Sequence, residues 1–190
     1  MKNLIILFLL SPFLAYSQSL GLKFGTVVST LKYVKDGKPL VGPTIGATYH
    51  HDFGKFQLGI EPSYTTKGAA ETVIYTDQTG GAIREKSNIK FNYIEAPITF
   101  GYLPVNDKAI FGFNLGVSPG YLISSKSHPY SNYSTIQTNK FNFDLLVGIK
   151  AGLKLSDNLL LTLNVRAGHC LISPTNYNYV SSFLNVEYKF

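Results

Sequence analysis

Seven charged residues stand among otherwise apolar, alternating segments of this chain: Lys23, Glu61, Glu95, Asp144, Lys150, Arg166 and Glu187. Neighbouring carboxylates with different surroundings can divide acid and base roles between them. The same residues can equally serve as an ion-pair network that fills a narrow space. Spacing favours the second reading. Glu61 lies six residues beyond Lys55, Glu95 eight before Leu103, Lys150 five before Leu155 and Arg166 eight beyond Asn158. Those reference residues sit at short turns, so the four charges are expected in one layer, with Asn114 near them. Lys23, Asp144 and Glu187 extend the expected network.

Other chemistry is poorly supported. The histidines are His50, His51, His128 and His169, and no H-x-x-x-H metal spacing occurs. His128 and His169 fall near Ser131 and Ser173, a combination that an acyl-transfer site at one rim would use. There is no G-x-S-x-G and no phosphate-binding loop. Cys170 is the single cysteine, which excludes an intrachain disulfide and a cysteine metal site. No residue is assigned as catalytic, cofactor-binding or metal-ligating, and no cofactor is expected.

The elements that position these charges follow from alternation. In the last segment Val180, Ser182, Leu184, Val186, Tyr188 and Phe190 share one face. Ser181, Phe183, Asn185, Glu187 and Lys189 share the other. Period two means a strand with one apolar face. The pattern recurs around 20–28, 45–49, 56–65, 94–102, 111–121, 141–153 and 159–167, giving eight strands. Short connections at 51–55, 103–108 and 155–158 alternate with longer ones near 30–42, 66–89, 124–139 and 169–178. An even number of strands, with short turns on one side and long loops on the other, predicts an all-β, eight-stranded antiparallel up-and-down transmembrane barrel.

The faces decide which kind of barrel. A soluble ligand-binding barrel is apolar inside. Here the polar face carries the charges and many glycines, while the apolar face is aliphatic and aromatic. Lipid outside and charges inside suit that inversion better than a closed apolar core. Charged residues make up 15% of the chain, against the roughly 25% usual in soluble domains.

Residues 1–17 read as a signal peptide: Lys2, then the apolar run Leu4 to Leu10, then the small-x-small site Ala15-Tyr16-Ser17. The barrel domain is expected over 18–190. The net charge of +6 includes Lys2 and falls to +5 without it. The basic residues do not cluster with stacking aromatics, so nucleic acid is not expected as a partner. The expected partners are outer-membrane lipid and lipopolysaccharide, the latter through basic residues such as Lys32, Lys35 and Lys38. Tyr-, Asn- and Ser-rich outer loops add a protein or glycan partner. A monomer is expected.

The segments FNYIEAPITFGYL (91–103), GFNLGVSPGYLI (112–123), FDLLVGIKAGLKL (143–155) and the terminal VEYKF (186–190) resemble the PorT-type outer-membrane β-barrel proteins of Bacteroidetes. The signal ending in YSQ is similar too. The resemblance covers nearly all of the mature chain. It implies an outer-membrane location and a small barrel similar to OmpA or OmpX. Some relatives are associated with protein secretion machinery, and the family implies no catalytic residues. The leading function is a non-enzymatic barrel serving envelope structure, adhesion or partner binding through its loops. The alternatives are a lipid-modifying enzyme with a rim active site, or a narrow pore.

Overall fold

A computed structural model of the chain describes residues 18–32, 37–76, 80–104, 109–127, 140–172 and 177–190. Among the described residues there are ten strands: β1 (Gln18–Leu31), β2 (Lys38–Phe53), β3 (Phe56–Ile60), β4 (Ser63–Thr76), β5 (Ala82–Glu95), β6 (Ile98–Tyr102), β7 (Ala109–Lys126), β8 (Phe141–Lys154), β9 (Leu159–Ile172) and β10 (Tyr177–Lys189). β3 and β4 are successive halves of one stave, as are β5 and β6, so the ring has eight staves. Every pairing is antiparallel, and β1 closes the ring by pairing with both β2 and β10.

Prolines cause the two interruptions, because proline donates nothing to a ladder. Their carbonyls, and that of Pro119 inside β7, keep the sheet joined. Pro62 accepts from Ala47 N at 3.0 Å, Pro97 from Glu61 N at 2.9 Å and Pro119 from Ala96 N at 2.9 Å. The β2–β3 hairpin turns at Gly54, whose φ of 64° is left-handed.

The apolar faces point outward. Leu22, Ile45, Phe111, Val147 and Phe190 are each more than 60% exposed. In a membrane this surface meets acyl chains. The two ends of the interior differ. Near the termini and tight turns it is polar. Toward the other end Val27, Leu31, Ala69, Ile89, Phe91, Tyr93, Leu122, Leu146, Cys170, Tyr177 and Tyr179 form an apolar and aromatic cluster. Gly168 makes room for part of it, since a Cβ there would lie 2.1 Å from the ring of Tyr179, its cross-strand partner.

The strands run further than alternation indicated, and the four long loops are corrected accordingly. β4 and β5 stay in register from Ser63↔Glu95 to Thr76↔Ala82, through most of the stretch read as a loop over 66–89. β1 reaches Leu31, β7 reaches Lys126, β9 reaches Ile172, and β10 begins at Tyr177. The reason is physical. Beyond the membrane the outward face meets water while the inward face packs the apolar cluster, so the apolar-out, polar-in period is lost while the backbone ladder continues.

Candidate functional site

Buried charged side chains form two groups in the interior. The first centres on Glu61, next to Pro62, where β3 gives way to β4. Arg166, on β9, donates from Nη1 to Glu61 Oε2 at 2.7 Å and from Nη2 to Oε1 at 2.6 Å. Its Nε donates to Asn114 Oδ1 at 3.0 Å. Lys23 Nζ reaches Glu61 Oε2 at 3.2 Å. His50 links this carboxylate to the next, with Nε2 3.4 Å from Glu61 Oε1 and Nδ1 3.0 Å from Glu187 Oε2. Lys150 Nζ donates to Glu187 Oε1 at 2.9 Å and to Gln57 Oε1 at 3.0 Å. Lys23 and Arg166 also lie over the Phe183 ring, at 4.6 and 4.8 Å from its centroid.

The second group centres on Lys67. Its ammonium bonds Glu95 and, at 2.7 Å, Asp144 Oδ2. The rings of Tyr179, Tyr177 and Tyr93 surround it at 3.9, 5.0 and 5.7 Å. Tyr177 Oη donates to Asp144 Oδ1 at 3.2 Å, and Asn142 Nδ2 donates to Tyr177 Oη at 2.6 Å.

The seven charges singled out from sequence are all buried in the interior, but not in the expected arrangement. Glu61, Glu95, Lys150 and Arg166 do not make one layer. Glu95 belongs with Lys67, and Lys150 pairs with Glu187. A strand tilts across the barrel, so equal residue counts from the turns do not mean equal heights.

Sequence reasoning missed Lys67 and His50. Lys67 fell in a supposed loop, and His50 beside a turn. A charge count held the missing signal. The seven residues comprise four carboxylates but only three cations, and a buried charge needs a partner. Lys67 is the fourth cation. His51 is also buried, with its ring edge-on to Phe53 at 4.4 Å.

Little space is left. A cavity of about 20 Å³ lies between the groups, bordered by Lys23, Glu95 and Arg166, with room for about one water. Another of about 50 Å³ opens near Gln57, Lys150 and Lys189 at the end that carries the termini. No cluster of three or more metal-ligating side chains exists among the described residues. At the rim, His169 Nδ1 is 2.6 Å from Asn178 Oδ1. His128, Ser131 and Ser173 lie outside the described residues.

Residues 13–172 match the outer membrane protein beta-barrel domain. The chain belongs to this family. It is an outer-membrane protein, and the barrel's apolar exterior is the surface that such a location requires. No curated protein matches the sequence. Among solved structures, the barrel is similar to Ail, the attachment invasion locus protein of Yersinia pestis, crystallised in complex with the heparin analogue sucrose octasulfate. Identity is 13%, the TM-score is 0.54, and the match covers 92% of this chain and 99% of Ail. It is also similar to Neisserial surface protein A, with 10% identity, a TM-score of 0.55, and 91% and 97% of the two chains covered. At these identities the likeness is one of fold.

Proposed function

We propose that the barrel is a non-enzymatic envelope protein of the PorT type, exported by the signal over residues 1–17, that binds a glycan or protein partner at its outer rim. The supporting observation is the filled interior. Four buried cations meet four buried carboxylates, and every one of these carboxylates takes up at least two hydrogen bonds from its neighbours. Groups committed in this way are poor acids and bases, and they leave no channel for solutes. The rim is the surface left for recognition. The fold shared with Ail, which was crystallised with a sulfated sugar, supports a polyanionic glycan as the partner class.

Photo-crosslinkers at Gly80 and Ser127, at the loop end, test this in cells. They are expected to capture a glycan or protein, while a probe at Gly54, at the opposite end, captures none. Failure of both rim probes, together with loss of a modified envelope lipid in a His169→Ala variant, would replace this reading with the enzymatic one.

A further inference from the structure

The outer wall of the barrel carries a pair of lysines that the interior network does not use. An outward row of Tyr64, Ile94, Tyr121 and Phe141 runs around this wall, all four at least 40% exposed, with Tyr121 and Phe141 edge-to-face at 5.2 Å. Such aromatic-rich rows mark the edge of the hydrocarbon. One step above it, Asn92 Nδ2 donates to Ser124 Oγ at 2.8 Å. One step higher again, Lys90 on β5 stands directly opposite Lys126 on β7, and both are exposed.

A bulge creates this juxtaposition. Tyr93 pairs with Leu122, but Asn92 pairs with Ser124, so Ile123 is the extra residue. Regular alternation from the buried Leu122 would turn Lys126 inward. The bulge shifts the parity and turns it outward beside Lys90. Like charges directly opposite each other destabilise a sheet. No ion pair relieves them among the described residues. The outward positions of β4 at this level hold Gly68, Ala70 and Thr72, and those of β5 continue as Asn88 and Lys86. Between Glu95 and Asp144 the sequence has a single carboxylate, Asp107, which lies outside the described residues.

We propose that Lys90 and Lys126, with Lys86 above them, bind the phosphate groups of outer-leaflet glycolipid. The height fits. Lys90 is four residues past Ile94, which at about 3.3 Å per residue and roughly 45° tilt puts it about 9 Å above the hydrocarbon edge. That is the headgroup level. A phosphate between the two ammonium groups removes their repulsion and supplies the missing counter-charge. This site lies on the wall and rests on the outer-membrane location alone, independently of any partner at the rim.

The test uses the full barrel folded in detergent, titrated with bisphosphorylated lipid A and with its dephosphorylated form, and bound lipid is read by native mass spectrometry. Wild type is expected to prefer the phosphorylated form by at least about 25-fold, and K90Q/K126Q to lose about fivefold of that preference per lysine. K154Q, at the other end, keeps the full preference. K126E gives a second readout that does not depend on the double variant folding. It pairs with Lys90, so it is expected to melt higher than wild type in lipid-free detergent yet gain less from phosphorylated lipid A. Equal binding of both lipid forms by wild type, or an undiminished preference in K90Q/K126Q or K126E, would overturn the proposal.

Discussion

Arg166 and Glu61 face each other across the full width of the barrel, on staves four apart in a ring of eight, and are joined by two hydrogen bonds of 2.7 and 2.6 Å. Bidentate guanidinium–carboxylate geometry fixes both side chains in orientation as well as distance. Gly148 helps to set it, because a Cβ there would lie 2.4 Å from Arg166 Cγ.

Breaking this brace from the Arg166 side leaves the buried Glu61 with Lys23 as its remaining cation, in a space with room for about one water. Arg166→Leu is therefore expected to destabilise the barrel by about 3–5 kcal/mol. The combined Arg166→Leu and Glu61→Leu variant is expected to cost clearly less than the two single changes added together. Urea unfolding followed by the heat-dependent gel shift measures both. Additive costs would mean that the two groups are not coupled.

The Lys67 group behaves in the same way but holds two carboxylates. Lys67→Met strands Glu95 and Asp144 together and removes the cation from the tyrosine cage. A loss of about 3–5 kcal/mol is expected, with a smaller loss for Lys67→Arg, which keeps the charge. Circular dichroism melts in detergent read the difference. If Lys67→Met melted like wild type, the carboxylates would have another source of compensation.

Gly168 tests the apolar half of the interior. Adding one methyl group there drives a Cβ into the Tyr179 ring, and overpacking of this kind costs roughly 1–3 kcal/mol. Gly168→Ala should therefore melt lower than wild type, and Gly168→Ala with Tyr179→Leu should recover part of the loss. No recovery in the double variant would place the strain in the backbone instead.

The filled interior predicts no steady ion conductance for wild type in planar bilayers. Replacing both Arg166 and Glu61 by Gly removes the brace across the bore, and brief conducting events are then expected. Stable wild-type channels would favour the pore reading, and would require the two charged groups to separate during conduction.

The order of strands, the inside–outside sense of each face and the membrane location were all legible in the sequence, because they rest on a period of two that each strand carries by itself. Val186 and Glu187 declare opposite faces without reference to any other strand. The ends of the strands were not legible. At Lys86, Asn88 and Lys90 both the outward environment and the side chains are polar, and the ladder that keeps β4 and β5 paired leaves no trace in hydropathy. The pairing of charges was equally hidden. Glu95 meets Lys67 rather than Arg166 because tilt, stagger and the breaks at Pro62 and Pro97 set the heights of side chains that approach one another from different staves. Sequence by itself therefore determined that charged residues fill a membrane barrel. Tertiary structure alone decided that they form two groups of opposite charge excess, that Lys67 brings the total to four cations against four carboxylates, and that one bulge at Ile123 turns Lys126 outward to stand beside Lys90.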